Sequence, residues 1–149
     1  MSDFQVDISD QQTHLEVRTK RLQEVVERVL CEEGFARGEV SIAVVDDAAI
    51  HRVNRDFLGH DYPTDVVSFA LGRETGSIDG ELVVSAETAV REAVSHGWSA
   101  DDELLLYVVH GVLHLCGYDD LTDEARPIMR NRERQVLAFW QLTPTGLEA

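Results

Sequence analysis

The chain has 149 residues, 44% of them apolar, with 13 basic against 28 acidic side chains and a formal net charge of −15 at pH 7. That is the size of one domain with a real core, and the sign of the charge opposes non-specific binding of nucleic acid over the whole surface. The longest dense apolar run, Leu104 to Val109, is far too short to span a bilayer, and two cysteines, Cys31 and Cys116, make no disulfide framework.

The opening Met-Ser-Asp-Phe-Gln-Val-Asp lacks the basic and then apolar regions of a signal peptide. A reducing cytoplasm is the expected location, with neither membrane nor DNA as a partner. There is a single lysine, Lys20; the other twelve basic residues are arginines. A local arginine-lined cleft around a cation can still hold phosphate while the remaining surface repels it.

No repeat, low-complexity tract or linker interrupts the chain, which predicts one domain over residues 1–149. Val6 to Ser9 reads as a first strand. Thr13 and Glu16 form a capping-box signature, and behind it Leu15, Leu22, Val25, Val26, Val29 and Leu30 recur at helical spacing until Gly34. Val40 to Val45 is β-branched and reads as a buried strand. Asp46 or Asp47 then caps a helix bearing Ile50, Val53 and Phe57, ended by Gly59. Val66 to Leu71, entered through Pro63-Thr64-Asp65, and Gly80 to Ser85 read as two further strands.

Three helices follow. Ser85 caps one that Gly97 stops, and Ser99 caps the next, Ala100 to Cys116. This helix is apolar almost all round, the mark of a buried helix. The last, around Pro127 to Trp140, begins with a proline, which suits a first turn. The expectation is an α+β fold: a layered single domain with a mixed sheet of about four strands and about five helices.

The buried helix carries the chemistry. His110 and His114 are four residues apart, one turn above each other on one face. Such a pair alone is more often two hydrogen-bonded or solvated histidines than a site. Here, though, Gly117 can end the helix and turn the chain back, bringing Asp119 or Asp120 to the same point. The result is three protein ligands with room for water, the layout of a catalytic zinc site at the end of a buried helix. Cys116, two residues past His114, points elsewhere and reads as a small core residue.

With its surroundings, this segment resembles the signature of the YbeY family of endoribonucleases, also called rRNA maturation factors: His-Gly-x-Leu-His-Leu-x-Gly-Tyr-Asp-His. His110-Gly111-Val112-Leu113-His114-Leu115-Cys116-Gly117-Tyr118-Asp119-Asp120 matches all but the last position. Asp61 to Phe69 is similar to the family's Pro-Thr-Asp-Val-Leu-Ser-Phe strand, and Asn54 with Phe57 to its Asn-x-x-aromatic helix. Gly80 to Ser85 resembles its Gly-Asp-Ile strand, with Glu81 for Asp, and Met129 and Glu133 match its final helix. The similarity spans about residues 40 to 135.

The resemblance implies a metal-dependent endoribonuclease specific for single strands. It would act in 16S rRNA 3′-end maturation and ribosome quality control, with RNA, the small ribosomal subunit and its assembly factors as partners. It implies one divalent metal, zinc first, held by His110, His114 and Asp120, which are also the catalytic positions.

Two departures stand out. Asp120 replaces the family's third histidine. A carboxylate oxygen is a normal zinc ligand at about 2.0–2.2 Å. Its charge makes the metal a weaker Lewis acid and widens the choice toward manganese or iron. Leu58 stands where the family usually has arginine. Arg52 and Arg55 either take over its phosphate or are solvated helix charges.

The mechanism that follows is metal-assisted phosphodiester cleavage: a ligated ion polarises a phosphoryl oxygen, lowers the pKa of bound water, or both. The Asp65 to Phe69 strand would wall the cleft, with Ser68 facing RNA; Thr64 and Asp65 either join it or serve the turn after Pro63. No residue stands out as general base. Two rivals remain. A zinc peptidase shares the His-x3-His spacing but needs a Glu directly after the first histidine, where this chain has Gly111. A non-catalytic assembly factor would hold a structural metal, with Asp119 available as a fourth ligand and an Arg126, Arg130, Arg134 stripe turned to RNA or paired with Glu133.

Overall fold

Four strands, β1 (Asp3–Asp10), β2 (Arg37–Val45), β3 (Val66–Glu74) and β4 (Ser77–Ser85), form one mixed sheet in the order β1-β2-β4-β3. The computed structural model describes residues 3–143; residues 1–2 and 144–149 of the expected domain lie outside the described residues. β1, β2 and β4 are parallel, and β3 pairs antiparallel with β4 as the edge. The register places Ile8, Ile42 and Leu82 in one row, and the β3 residue that completes it is Ser68. An apolar row that ends in a hydroxyl marks where the core stops and a polar surface begins.

The helices are α1 (Thr19–Glu32), α2 (Asp47–Leu58), α3 (Ala86–His96), α4 (Ala100–Leu115) and α5 (Ala125–Phe139). α4 is the centre of the molecule, packing against α1, α3, α5, β3 and β4. Leu104, Leu105, Val108, Val109, Val112 and Leu113 are fully buried on it. Each such side chain contributes about 1.5–3 kcal/mol of burial, so α4 holds its position whatever the site requires. Among the described residues, α2 covers the second face of the sheet, over a small cluster of Val45, Ile50 and Val67. No helix among the described residues is long and apolar enough to cross a membrane.

Three helix starts follow the sequence. Asp46 accepts from Ala49 N at 2.9 Å, Ser85 from Thr88 N at 3.1 Å and Ser99 from Asp102 N at 3.1 Å. α1 departs from it. The expected cap at Thr13 is not used, and the helix begins at Thr19 without a side-chain cap. Gln12 is the reason: its side-chain oxygen accepts from His14 N and Leu15 N, and its amide donates to Leu15 O at 2.8 Å. The backbone groups that a helical turn would need are already spent in a local loop. The first strand is also longer than Val6 to Ser9, because Phe4, Val6 and Ile8 alternate with polar residues in a half-buried parallel strand.

Candidate active site

The site is built at the end of α4. Gly117 takes φ +106°, with Tyr118 N donating to Leu113 O and Gly117 N to His114 O, both at 3.0 Å. This is a Schellman turn, and it needs a residue free to adopt positive φ. It sends the chain back along α4 and delivers Asp120 beside the two histidines. Asp120 Oδ2 lies 3.4 Å from His110 Nε2, and Oδ1 lies 3.6 Å from His114 Nε2. The two Nε2 atoms are 3.0 Å apart. Asp119 turns away, its Oδ1 accepting from Leu121 N at 2.7 Å.

The partners behind the rings fix what the rings can do. Glu133 Oε2 sits 2.5 Å from His110 Nδ1, and Tyr118 O sits 3.0 Å from His114 Nδ1. Carboxylate and carbonyl oxygens only accept, so each ring carries its proton on Nδ1 and turns the Nε2 lone pair to the shared gap. Three electron-pair donors facing one gap require a cation or a proton between them. Tetrahedral ligands at about 2.0–2.1 Å from zinc lie about 3.3–3.4 Å from each other, and the observed separations bracket that edge. The group fits a first-row divalent ion, and it is the one His/Cys/Asp/Glu cluster among the described residues with that capacity.

Electrostatics favour positive charge at this point. Burial pulls the His110 pKa down, but the hydrogen bond and charge of Glu133, with Asp65 and Asp120, outweigh it and raise the value above the ordinary one. Cys116 takes no part: burial pushes its thiol up to about 12, as suits a core side chain.

Above the triad lies a cleft of about 370 Å³ walled by Asn54, Leu58, His60, Tyr62 and the Thr64 to Ser68 strand entry. Among the expected site residues, Thr64, Asp65 and Ser68 meet His110, His114 and Asp120 there. Asp65 also serves the turn, its Oδ1 accepting from Val66 N at 2.8 Å and Thr64 Oγ1 at 3.3 Å. Arg52 and Arg55 do not line the cleft; they are exposed on α2, and Arg55 pairs with Asp56 at 2.9 Å. A second cavity of about 300 Å³ opens on the other side of His110 and Asp120, toward His96, Glu103, Tyr107, Arg130 and Glu133.

Two buried acids there were not legible as site residues. Glu133 is 0% exposed, and its Oε1 has no hydrogen-bond partner, with Arg130 Nη1 at 3.5 Å. Glu103 is 1% exposed and accepts from Trp98 Nε1 at 2.7 Å, with His96 Nδ1 at 2.5 Å. The available signal was a Glu placed inside an apolar stripe, as Glu133 is among Met129, Val136 and Leu137. Arg126, from the arginine stripe, pairs with Asp123 at 3.1 Å.

The sequence profile described as Endoribonuclease YbeY matches residues 7–141. The chain belongs to the YbeY endoribonuclease family. Endoribonuclease YbeY of Rhodopirellula baltica is 52% identical over 103 residues, 68% of this chain and 53% of that protein, so the chain spans about half that relative's length. The protein of the same name from Pelotomaculum thermopropionicum is 43% identical over 86% of this chain and 90% of its own. That of Geobacter sulfurreducens is 38% identical over 91% and 95%. The solution structure of TM1509 from Thermotoga maritima aligns with a TM-score of 0.63 at 27% identity, covering 91% of each chain. In this chain the segment that resembles the signature is the second half of α4 together with its Schellman turn.

Proposed function

We propose that the protein is a metal-dependent endoribonuclease acting on single-stranded RNA, with His110, His114 and Asp120 as metal ligands and catalytic centre. The observation that carries this reading is the convergence of three electron-pair donors at the base of an open cleft. Zinc is the first candidate, and the carboxylate of Asp120 extends the choice to manganese or iron. Such an ion, when bound, supplies Lewis acidity toward a phosphoryl oxygen and lowers the pKa of its water.

The chain's own residues do the rest. Glu133 keeps the His110 proton on Nδ1 and so keeps Nε2 available. Ser68, Thr64 and Asp65 line the same cleft, and in this reading they offer their hydroxyl and carboxylate groups to the RNA. Arg52 and Arg55 would meet only RNA that extends beyond the cleft. Family membership supports the cellular reading: maturation of the 16S rRNA 3′ end and ribosome quality control in the cytoplasm, on the small subunit with its assembly factors.

The engagement of Asp119 in its turn favours an open site over a closed structural one, which takes four protein ligands. A peptidase is disfavoured because the position after His110 faces the sheet: a Cβ on Gly111 would meet Leu82 Cδ2 at 2.8 Å. The deciding experiment is cleavage of a labelled single-stranded RNA beside an identically purified His110→Ala variant. Cleavage by the parent alone, abolished by a chelator, is expected. Equal cleavage by both, or none by either on free and subunit-bound RNA, would overturn the reading.

A further inference from the structure

The cleft that would hold RNA carries no lysine or arginine among its lining residues, and Leu58, 47% exposed, stands where a phosphate-binding arginine was expected. With a chain of net charge −15, phosphate contacts are a weak source of affinity here. What the cleft offers instead is aromatic surface. The His60 and Tyr62 rings stack with centroids 5.4 Å apart and planes 18° apart, and the Tyr62 hydroxyl is hydrogen-bonded to His60 Nδ1 at 3.1 Å. Tyr62 remains 53% exposed on the wall of the cleft that contains the triad.

This pair is held in place before any ligand arrives. Asn54, 2% exposed, donates from its side-chain amide to Tyr62 O at 3.0 Å, and its backbone carbonyl accepts from His60 N at 3.1 Å. His51 Nε2 and Asp61 Oδ1, 2.8 Å apart, add a third tie between α2 and this loop. These ties fix the backbone that presents the Tyr62 ring, and the hydroxyl contact with His60 orients the ring itself, which lowers the ordering cost of binding.

We infer that Tyr62, backed by His60, is a base-stacking platform that positions an unpaired nucleobase of single-stranded RNA beside the His110–His114–Asp120 centre. Stacking on aromatic rings tolerates any base and requires that the base be unpaired, so the platform selects single strands and imposes little sequence preference. The inference rests on the endoribonuclease reading above and assigns the subsite within it.

The test uses metal-loaded full-length protein and short 2′-O-methyl RNA oligomers carrying 2-aminopurine at successive positions, alongside cleavage of the matching unmodified RNA. The parent is expected to quench one position and to bind with a shallow salt dependence. Tyr62→Ala is expected to lose that quenching and to raise KM or Kd roughly 10-fold, whereas Tyr62→Phe keeps both. An abasic nucleotide at the quenched position should weaken the parent and leave Tyr62→Ala unaffected. If Tyr62→Ala, folded by circular dichroism, cleaves and quenches like the parent, the platform is wrong and the nuclease reading stands. If Tyr62→Phe fails as Ala does, the hydroxyl and not the ring is at work, which also overturns the inference. If the parent neither binds nor cleaves RNA, the nuclease reading fails and the platform with it.

Discussion

Glu133 and His110 form a buried pair, Oε2 to Nδ1 at 2.5 Å, that joins α5 to the end of α4 where His110, His114 and Asp120 converge. The carboxylate enters from a helix 23 residues away in sequence and determines which ring nitrogen is left to bind. A charged acceptor behind an imidazole raises its strength as a ligand.

Glu133→Gln keeps the size and removes the charge. Metal affinity is expected to fall about 10- to 100-fold, measured by competition with a chromophoric chelator. Unchanged affinity would mean that Glu133 serves packing alone.

Asp120→His installs the ligand type of the resembling signature. Affinity for zinc relative to manganese should rise, because imidazole suits zinc and carboxylate suits manganese. Competition titrations with both ions read the ratio directly; a ratio unchanged by the substitution would remove Asp120 from the ligand set.

Asp47 ties α2 to α3, accepting from Ser85 Oγ at 2.6 Å, Thr88 Oγ1 at 2.5 Å and Arg91 Nη1 at 3.0 Å. Burial alone would raise its pKa, but these donors and the Arg91 charge lower it below the usual carboxylate value. A lowered native pKa means stability that is present above the unfolded value of about 3.9 and is lost as pH falls through the native one. Asp47→Ala should cost about 2 kcal/mol near pH 7. Urea unfolding across pH should show a constant gap from parent down to about pH 5, narrowing below about pH 4.

Gly111 leaves no room for a side chain: a Cβ there would meet Leu82 at 2.8 Å and Val66 Cγ2 at 3.1 Å. Gly111→Ala is expected to lose about 1–3 kcal/mol by overpacking, despite the better helix propensity of alanine. A denaturation midpoint equal to or above that of the parent would contradict the packing of α4 on β3 and β4.

Local chemistry made much of this legible in the sequence. The caps at Asp46, Ser85 and Ser99 are signals read within three residues of the helix start, and the His110, His114, Gly117 spacing is read within two turns. Misreadings came where distance or competition enters. Thr13 looked like a cap because nothing in the motif shows that Gln12 will take the backbone groups first. Glu133 and Glu103 become interpretable only when α5 and α3 are docked on α4, which no local pattern encodes. Arg52 and Arg55 share α2 with Asn54, yet only Asn54, Leu58 and the loop behind them reach the cleft.

Because His110 and His114 belong to the helix at the centre of the core, the two imidazoles stay paired for as long as that helix is folded, and the metal site exists only in the native chain. An ion that binds only the native arrangement therefore acts as a folding ligand. At 100 times its dissociation constant it would add about 2.7 kcal/mol to stability. The melting temperature of this protein would then track the free metal around it, so that a starved cell would lose the molecule itself along with its activity.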